Sequence, residues 1–403
     1  MDATFDAPRP AAPPPIIRRP AKKSPWRALL IGLLSGGAGA LVGAGAIRLL
    51  GEDAIGLGNK AALRAALGPW AGLVVALTGV AMGWLAILAH EAGHIAGGQL
   101  ARFRFHLLVA GPLRIERNPV THRIRAVLNR EISLYGGIAA SLPTGTERLP
   151  RRLGLMVAGG PGASFLLAGI GAALVWGPMD EAGPLAKVAV GIMMLMSGGM
   201  GVVTLIPMRF SGFASDGARL LRLARGGPEA EREAAILSIM AISVAGTAPR
   251  DWPAETVRAA IAARDGSSDE CTACLLAYTH ALDRAEIDAA RETLHRALEL
   301  ADQYPPAFVP ALMVEAAFFE GFVSGDAAAA RAYLAELPEK TIAVTPFDRL
   351  RAEAAVALAE GDAAGARERI ERARAVAPAG DAFRRALLEQ MTAAAPAAEA
   401  ASA

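Results

Sequence analysis

The chain has 403 residues, 53% of them hydrophobic, with 41 Lys and Arg against 39 Asp and Glu. A formal net charge of +2 gives no support to nucleic-acid binding through bulk charge, and two Cys exclude a disulfide framework and suit a reducing cytosol. The length allows two or three domains, and the apolar share places part of the chain in a bilayer.

Residues 1–27 carry Pro and Arg ahead of the first apolar run, so they read as a disordered cytosolic leader rather than a cleavable signal, whose apolar core would be shorter. Four runs are then long enough to cross roughly 30 Å of hydrocarbon as helices. They are Ala28–Ile47, Trp70–Ala89 continuing to about Leu100, Leu153–Trp176 and Val188–Met208. The first and third are rich in Gly and Ala, which permits close helix approach. The leader carries Arg9, Arg18, Arg19, Lys22, Lys23 and Arg27, and ten Lys or Arg lie from Arg102 to Arg152, while the other two connections are poorer in them. The positive-inside bias therefore predicts a multi-pass protein with both termini cytoplasmic and the second helix running inward. Arg151, Arg152 and Arg209 read as membrane-proximal anchors. The Ala-, Gly- and Arg-rich composition fits a bacterial plasma membrane.

Between the second and third spans the pattern becomes alternating. Phe103–Leu107 alternates, Gly111-Pro112 marks a turn, Leu113–Glu116 and His122–Leu128 alternate again, and Gly136-Gly137 follows. Two or three short strands at the membrane surface are predicted. His106 and His122 fall in this basic segment and read as surface residues.

His90-Glu91-Ala92-Gly93-His94 stands at the end of the uncharged Trp70–Ala89 run. On a helix this spacing puts two imidazoles on one face, one turn apart, where both reach a single zinc ion, and places the Glu to act on water. With only six His in the chain such a match is rare by chance, and unpartnered polar groups are costly in lipid. A catalytic zinc takes a third protein ligand. Gly97 matches the longer H-E-x-x-H-x-x-G-x-x-H pattern, but Leu100 stands where its third His would be, and Glu-x-x-x-Asp occurs nowhere in the chain. Asp216, just past the fourth span, is the acidic candidate that remains. Its alternative role is an N-cap on the stretch that follows.

From Pro228 the chain reads as soluble and helical. Gly325-Asp326-Ala327-Ala328-Ala329-Ala330-Arg331 returns 36 residues later as Gly361-Asp362-Ala363-Ala364-Gly365-Ala366-Arg367, with a weaker copy at Asp288-Ala289-Ala290-Arg291. Paired helices at this period are similar to tetratricopeptide repeats, with a plain helical bundle as the alternative. Cys271 and Cys274 fall on an amphipathic helix and read as core. The expected fold class is thus mainly α: a polytopic transmembrane helical bundle of about four spans with a short β segment, then a soluble α-helical repeat domain. The expected boundaries are leader 1–27, transmembrane domain 28–225, repeat domain 226–391 and a disordered Ala-rich tail 392–403.

Three features together resemble the site-2 protease family of intramembrane zinc metalloproteases. His90-Glu91-Ala92-Gly93-His94 lies in a span. Gly160-Pro161-Gly162-Ala163-Ser164 follows the strand segment, with Ser164 where the family commonly has Asn. Thr204-Leu205-Ile206-Pro207 precedes Asp216-Gly217, with Thr204 where Asn is usual. The resemblance covers roughly residues 70–225 and rests most on the first motif. It implies that His90, His94 and Asp216 hold one Zn2+ ion. It also implies that Glu91 is the general base toward a zinc-activated water and then passes the proton to the leaving amine. The implied substrate is a membrane protein cut in or near a transmembrane segment, which must locally unwind. The strands around Phe103–Arg117 are expected to offer an edge to that extended segment, which Pro at Leu113 would break. Ser164 and Thr204 are expected either to help anchor the substrate or to satisfy backbone groups between helices. The helical repeats would bind a protein partner or filter substrates. Two rival readings are a membrane scaffold acting through its repeats and a membrane zinc enzyme acting on a small substrate or lipid.

Overall fold

The computed structural model describes residues 60–118, 121–130, 134–177, 182–210, 213–339, 341–377 and 381–395. The leader and the first predicted span, Ala28–Ile47, lie outside them. The described chain is mainly helical with a small sheet, and three helical stretches are long and apolar enough to cross a membrane: Lys60–Leu100, Leu149–Val175 and Pro184–Leu205. By contacts the chain forms two compact units, Lys22–Phe210 with Ala214–Arg225, and mainly Gly226–Ala403.

In the first unit α1 (Lys60–Leu67) leads through a short turn into α2 (Ala71–Leu100), which packs on both α3 (Leu149–Val175) and α4 (Pro184–Leu205). Leu73, Leu77, Val80, Leu166 and Ile170 are exposed on the outer faces of α2 and α3, a distribution an aqueous surface would not favour. Glycines set how closely α2 and α3 approach. Gly93 lies against the Gly159 carbonyl and Ala163, and Gly97 lies 2.7 Å, measured from where its Cβ would stand, from the Leu155 carbonyl. A side chain at either would push the helices apart. The Gly97 that matches the extended zinc pattern therefore serves helix packing.

Four antiparallel strands follow α2: β1 (Phe103–Ala110), β2 (Leu113–Arg117), β3 (Ile124–Leu128) and β4 (Ile138–Pro143), in spatial order β3-β2-β1-β4. The first three match the alternating segments. The fourth goes beyond the two or three strands predicted, because Ile138-Ala139-Ala140-Ser141-Leu142-Pro143 lacks alternation and acquires its strand form by pairing with β1. Gly111, at φ +52°, turns β1 into β2. Trp84 Nε1 donates to the Ala110 carbonyl at 2.9 Å and pins this turn to α2. Arg152 donates to the carbonyls of Ala101 and Arg102, both at 2.8 Å, and so holds the C-terminal end of α2.

Past α4, a two-stranded ribbon of β5 (Arg209–Phe210) and β6 (Phe213–Ala214) leads into α5 (Asp216–Arg225). The second unit continues with α6 (Pro228–Val244), α7 (Ala254–Ile261), α8 (Ser268–Asp283), α9 (Ile287–Glu299), α10 (Val309–Phe318), α11 (Ala327–Ala335), α12 (Pro346–Ala359), α13 (Ala363–Val376) and α14 (Ala382–Ala394). α8 packs on α9, α10 on α11 and α12 on α13. The repeated Gly-Asp pair has a conformational origin. Gly325 and Gly361 take φ +70° and +77°, and the following Asp326 and Asp362 accept from Ala329 N–H and Gly365 N–H to cap α11 and α13. Before α9 the same left-handed turn is made by Ala285, at φ +57°, and the N-cap is Glu286 without a side-chain cap bond, so the weaker copy keeps the turn but not the Gly-Asp pair. Helix α14 runs to Ala394, a little past the boundary expected for a disordered tail.

Candidate metal centre

His90, His94 and Asp216 converge at one point within the first unit, with ligand-capable atoms all within 4.8 Å of one another. His90 Nε2 lies 3.1 Å from Asp216 Oδ2, and His94 Nε2 lies 3.4 Å from Asp216 Oδ1. The two imidazoles are 4% and 9% exposed and the Asp216 side chain 12%. The helical period of α2 places both rings on one face, and α5 delivers the carboxylate from 126 residues further along the chain.

Local structure explains why Asp216 is available. Ser215 Oγ accepts from Ala218 N–H at 3.2 Å and from Met208 N–H at 3.0 Å, and donates to the Ile206 carbonyl at 2.7 Å. The N-cap of α5 is therefore Ser215, and the capping role considered for Asp216 is already filled. Gly217 lies directly against the Leu205 carbonyl, so that only a residue without a side chain lets α5 begin this close to the end of α4.

Helix α3 supports the imidazoles along one stripe of residues four apart: Met156, Gly160 and Ser164. His94 Nδ1 donates to the Met156 carbonyl at 3.1 Å. One residue past Gly160, Pro161 withdraws an N–H from this turn of the helix. His90 Nδ1 is 2.9 Å from Ser164 Oγ. Between them, a Cβ on Gly160 would stand 2.9 Å from His90 Nε2 and closer still to His94 Nε2, so glycine leaves the space into which both nitrogens point.

This geometry tests whether the residues suit a metal. A carbonyl oxygen only accepts, so His94 Nδ1 carries the proton, and Nε2 of the neutral ring presents its lone pair to Asp216 Oδ1. Two lone pairs facing each other out of water call for a cation between them, either a proton or a metal ion. Two imidazoles and a carboxylate form a zinc donor set that leaves a fourth position open. At usual zinc–ligand lengths the edge of a tetrahedron is about 3.3–3.4 Å, and the observed 3.1 and 3.4 Å lie close to it. The set fits zinc.

Glu91 is buried beside the pair, 8% exposed, and stays outside the ligand cluster. Its carboxyl lies against Gly137, which takes φ +105° immediately before β4, and a Cβ there would strike it. β4 is one outer strand of the sheet and the one adjoining Glu91. Leu113 instead pairs with Ala110 on one side and Leu128 on the other, inside the sheet. Phe103–Arg117 forms the two interior strands, so the edge expected there is absent and the sheet's edges are β3 and β4; Pro at Leu113 would damage the sheet interior. Among the described residues, Thr204 Oγ1 hydrogen-bonds the Gly201 carbonyl of its own helix, at 3.5 Å. Sequence reasoning missed Met156, Gly137, Gly160 as a cradle and Ser215 as the cap. For Gly160 the four-residue step to Ser164 was the available signal; a backbone carbonyl such as that of Met156 leaves none. No family model, curated protein or solved structure matches this chain.

Proposed function

We propose that the chain is a polytopic membrane zinc endopeptidase of the site-2 protease type, with its helical C-terminal unit serving protein recognition. The observation that carries this reading is the convergence of two imidazole Nε2 atoms and the Asp216 carboxylate beside a separate buried Glu, on helices of membrane length. His90, His94 and Asp216 would hold the ion. The chemistry zinc supplies when bound is Lewis acidity, which polarises a scissile carbonyl and acidifies water.

The rest falls to the chain's own groups. Glu91 takes a proton from the attacking water as its oxygen bonds to the carbonyl carbon. It then gives that proton to the amine nitrogen as the C–N bond breaks. Gly137 keeps the Glu91 carboxyl next to the β4 edge, where an extended substrate segment can pair through its backbone. Pairing matters because a peptide bond inside a helix has its carbonyl already engaged. The orientation that follows from the basic segments puts both termini in the cytoplasm.

The test compares wild type with Glu91→Gln, expressed at equal levels in the same membranes, by zinc content and by sequencing new protein termini. A protease yields termini in or near transmembrane segments that vanish in Glu91→Gln while zinc remains. Identical termini in both would overturn the proteolytic assignment and favour a scaffold acting through its helical unit.

A further inference from the structure

The two imidazoles are held by different kinds of partner. His94 is fixed by a backbone carbonyl that no substitution can remove, whereas His90 depends on one side chain, Ser164. Ser164 is fully buried, and its carbonyl in turn accepts from Ser197 Oγ of α4 at 3.0 Å, with Ser197 also fully buried. A chain of hydrogen bonds thus runs from α4 through α3 to one ring of the pair. We propose that Ser164 is the positioning residue of the metal site, orienting His90 so that its Nε2 meets Asp216, with Ser197 anchoring the turn that carries Ser164. This inference rests on the zinc reading above.

The physical argument concerns what His90 loses without the hydroxyl. With Nδ1 unpartnered in a buried site, the ring forfeits a hydrogen bond that selects its orientation and tautomer. An unmet buried group of this kind costs more than the bond's net worth. Outer partners of metal-bound His typically govern metal affinity by about 10–100-fold. Ser197 donates to the Ser164 carbonyl and not to the ring, so its effect on the ring is indirect. The ordering of the two serines separates a role in orienting His90 from simple helix packing, since both are fully buried and only the Ser164 hydroxyl meets the ring.

The experiment measures zinc affinity of the full chain in detergent by competition with a chromophoric chelator, for wild type, Ser164→Ala and Ser197→Ala. Imidazole nitrogen NMR of the metal-free proteins, labelled at His, accompanies it. Ser164→Ala is expected to weaken zinc by about 10–100-fold, to move the His90 Nδ1 resonance and to leave that of His94 in place. Ser197→Ala is expected to weaken zinc by less than about threefold and to move neither ring strongly. The proposal is overturned if Ser164→Ala binds zinc as wild type does, if the His90 resonance stays where it was, or if both variants weaken zinc equally. Absence of zinc binding by wild type would instead remove the metal reading itself, an outcome distinct from these.

Discussion

In the second unit, buried charges are matched by opposite ones: Arg232 by Asp265 at 2.8 Å, Glu270 by Arg296 at 2.7 Å, and Arg351 by Glu315. In the first unit, two imidazoles and a carboxylate face one another across a gap that glycine keeps open, and a second carboxylate is buried beside them. Both are polar clusters withdrawn from water, at comparable cost. The difference lies in whether the charges cancel. A network that balances internally specifies packing; one whose lone pairs point at the same space is built for a cation.

The largest expected break of that contrast is at Glu91. Glu91→Gln keeps the ligand set and removes the proton carrier, so cleavage should fall by about 10²–10⁴-fold with zinc unchanged by elemental analysis. Next is Asp216→Ala, which removes one of three donors. Zinc affinity, read by chelator competition, should fall by more than the roughly 100-fold governed by outer partners, while hydrogen exchange in α6–α14 stays as in wild type.

The balanced network should respond in the opposite sense. Asp265→Ala strands Arg232, whose side chain is fully buried, and should cost about 3–5 kcal/mol of second-unit stability in denaturant unfolding followed by hydrogen exchange, with zinc binding intact. Burial pushes the Asp265 carboxyl up, but hydrogen bonds from Arg232 and Ser267 outweigh it and hold the group well below its ordinary value of 3.8. A depressed carboxylate stabilises the fold at pH above its unfolded value, and this contribution is lost as pH falls toward the folded value. Stability of the second unit should therefore decline below about pH 4, and Asp265→Asn should flatten that decline. A pH profile of unfolding that is unchanged in the variant would sink the idea.

The smallest effect concerns the cysteines. Burial pushes the Cys274 thiol up to about 11 and raises Cys271 further. Alkylation at pH 8 should be slower in the native protein than after unfolding by more than about 100-fold. Rapid native labelling, followed by mass spectrometry, would contradict the core assignment of this pair.

Much of this contrast was legible along the chain. The apolar lengths, the His90–His94 spacing and the first three strands are local patterns, set by helical and strand periods acting over a few residues. The repeated Gly-Asp pair was visible as recurrence, though its meaning as a left-handed turn and a cap required backbone angles. β4 stayed hidden because its residues do not alternate between apolar and polar, and its partner β1 supplies the pairing.

What the sequence by itself determined was that two imidazoles share one face of an apolar helix, because one turn of helix is all the distance involved. Only the tertiary structure decided that Asp216 meets them, that Ser215 and not Asp216 caps α5, and that Met156, Gly160 and Ser164 form the wall behind the rings. These groups lie on separate helices, and their meeting depends on helix packing set by small residues whose purpose appears only when the opposite helix is in place.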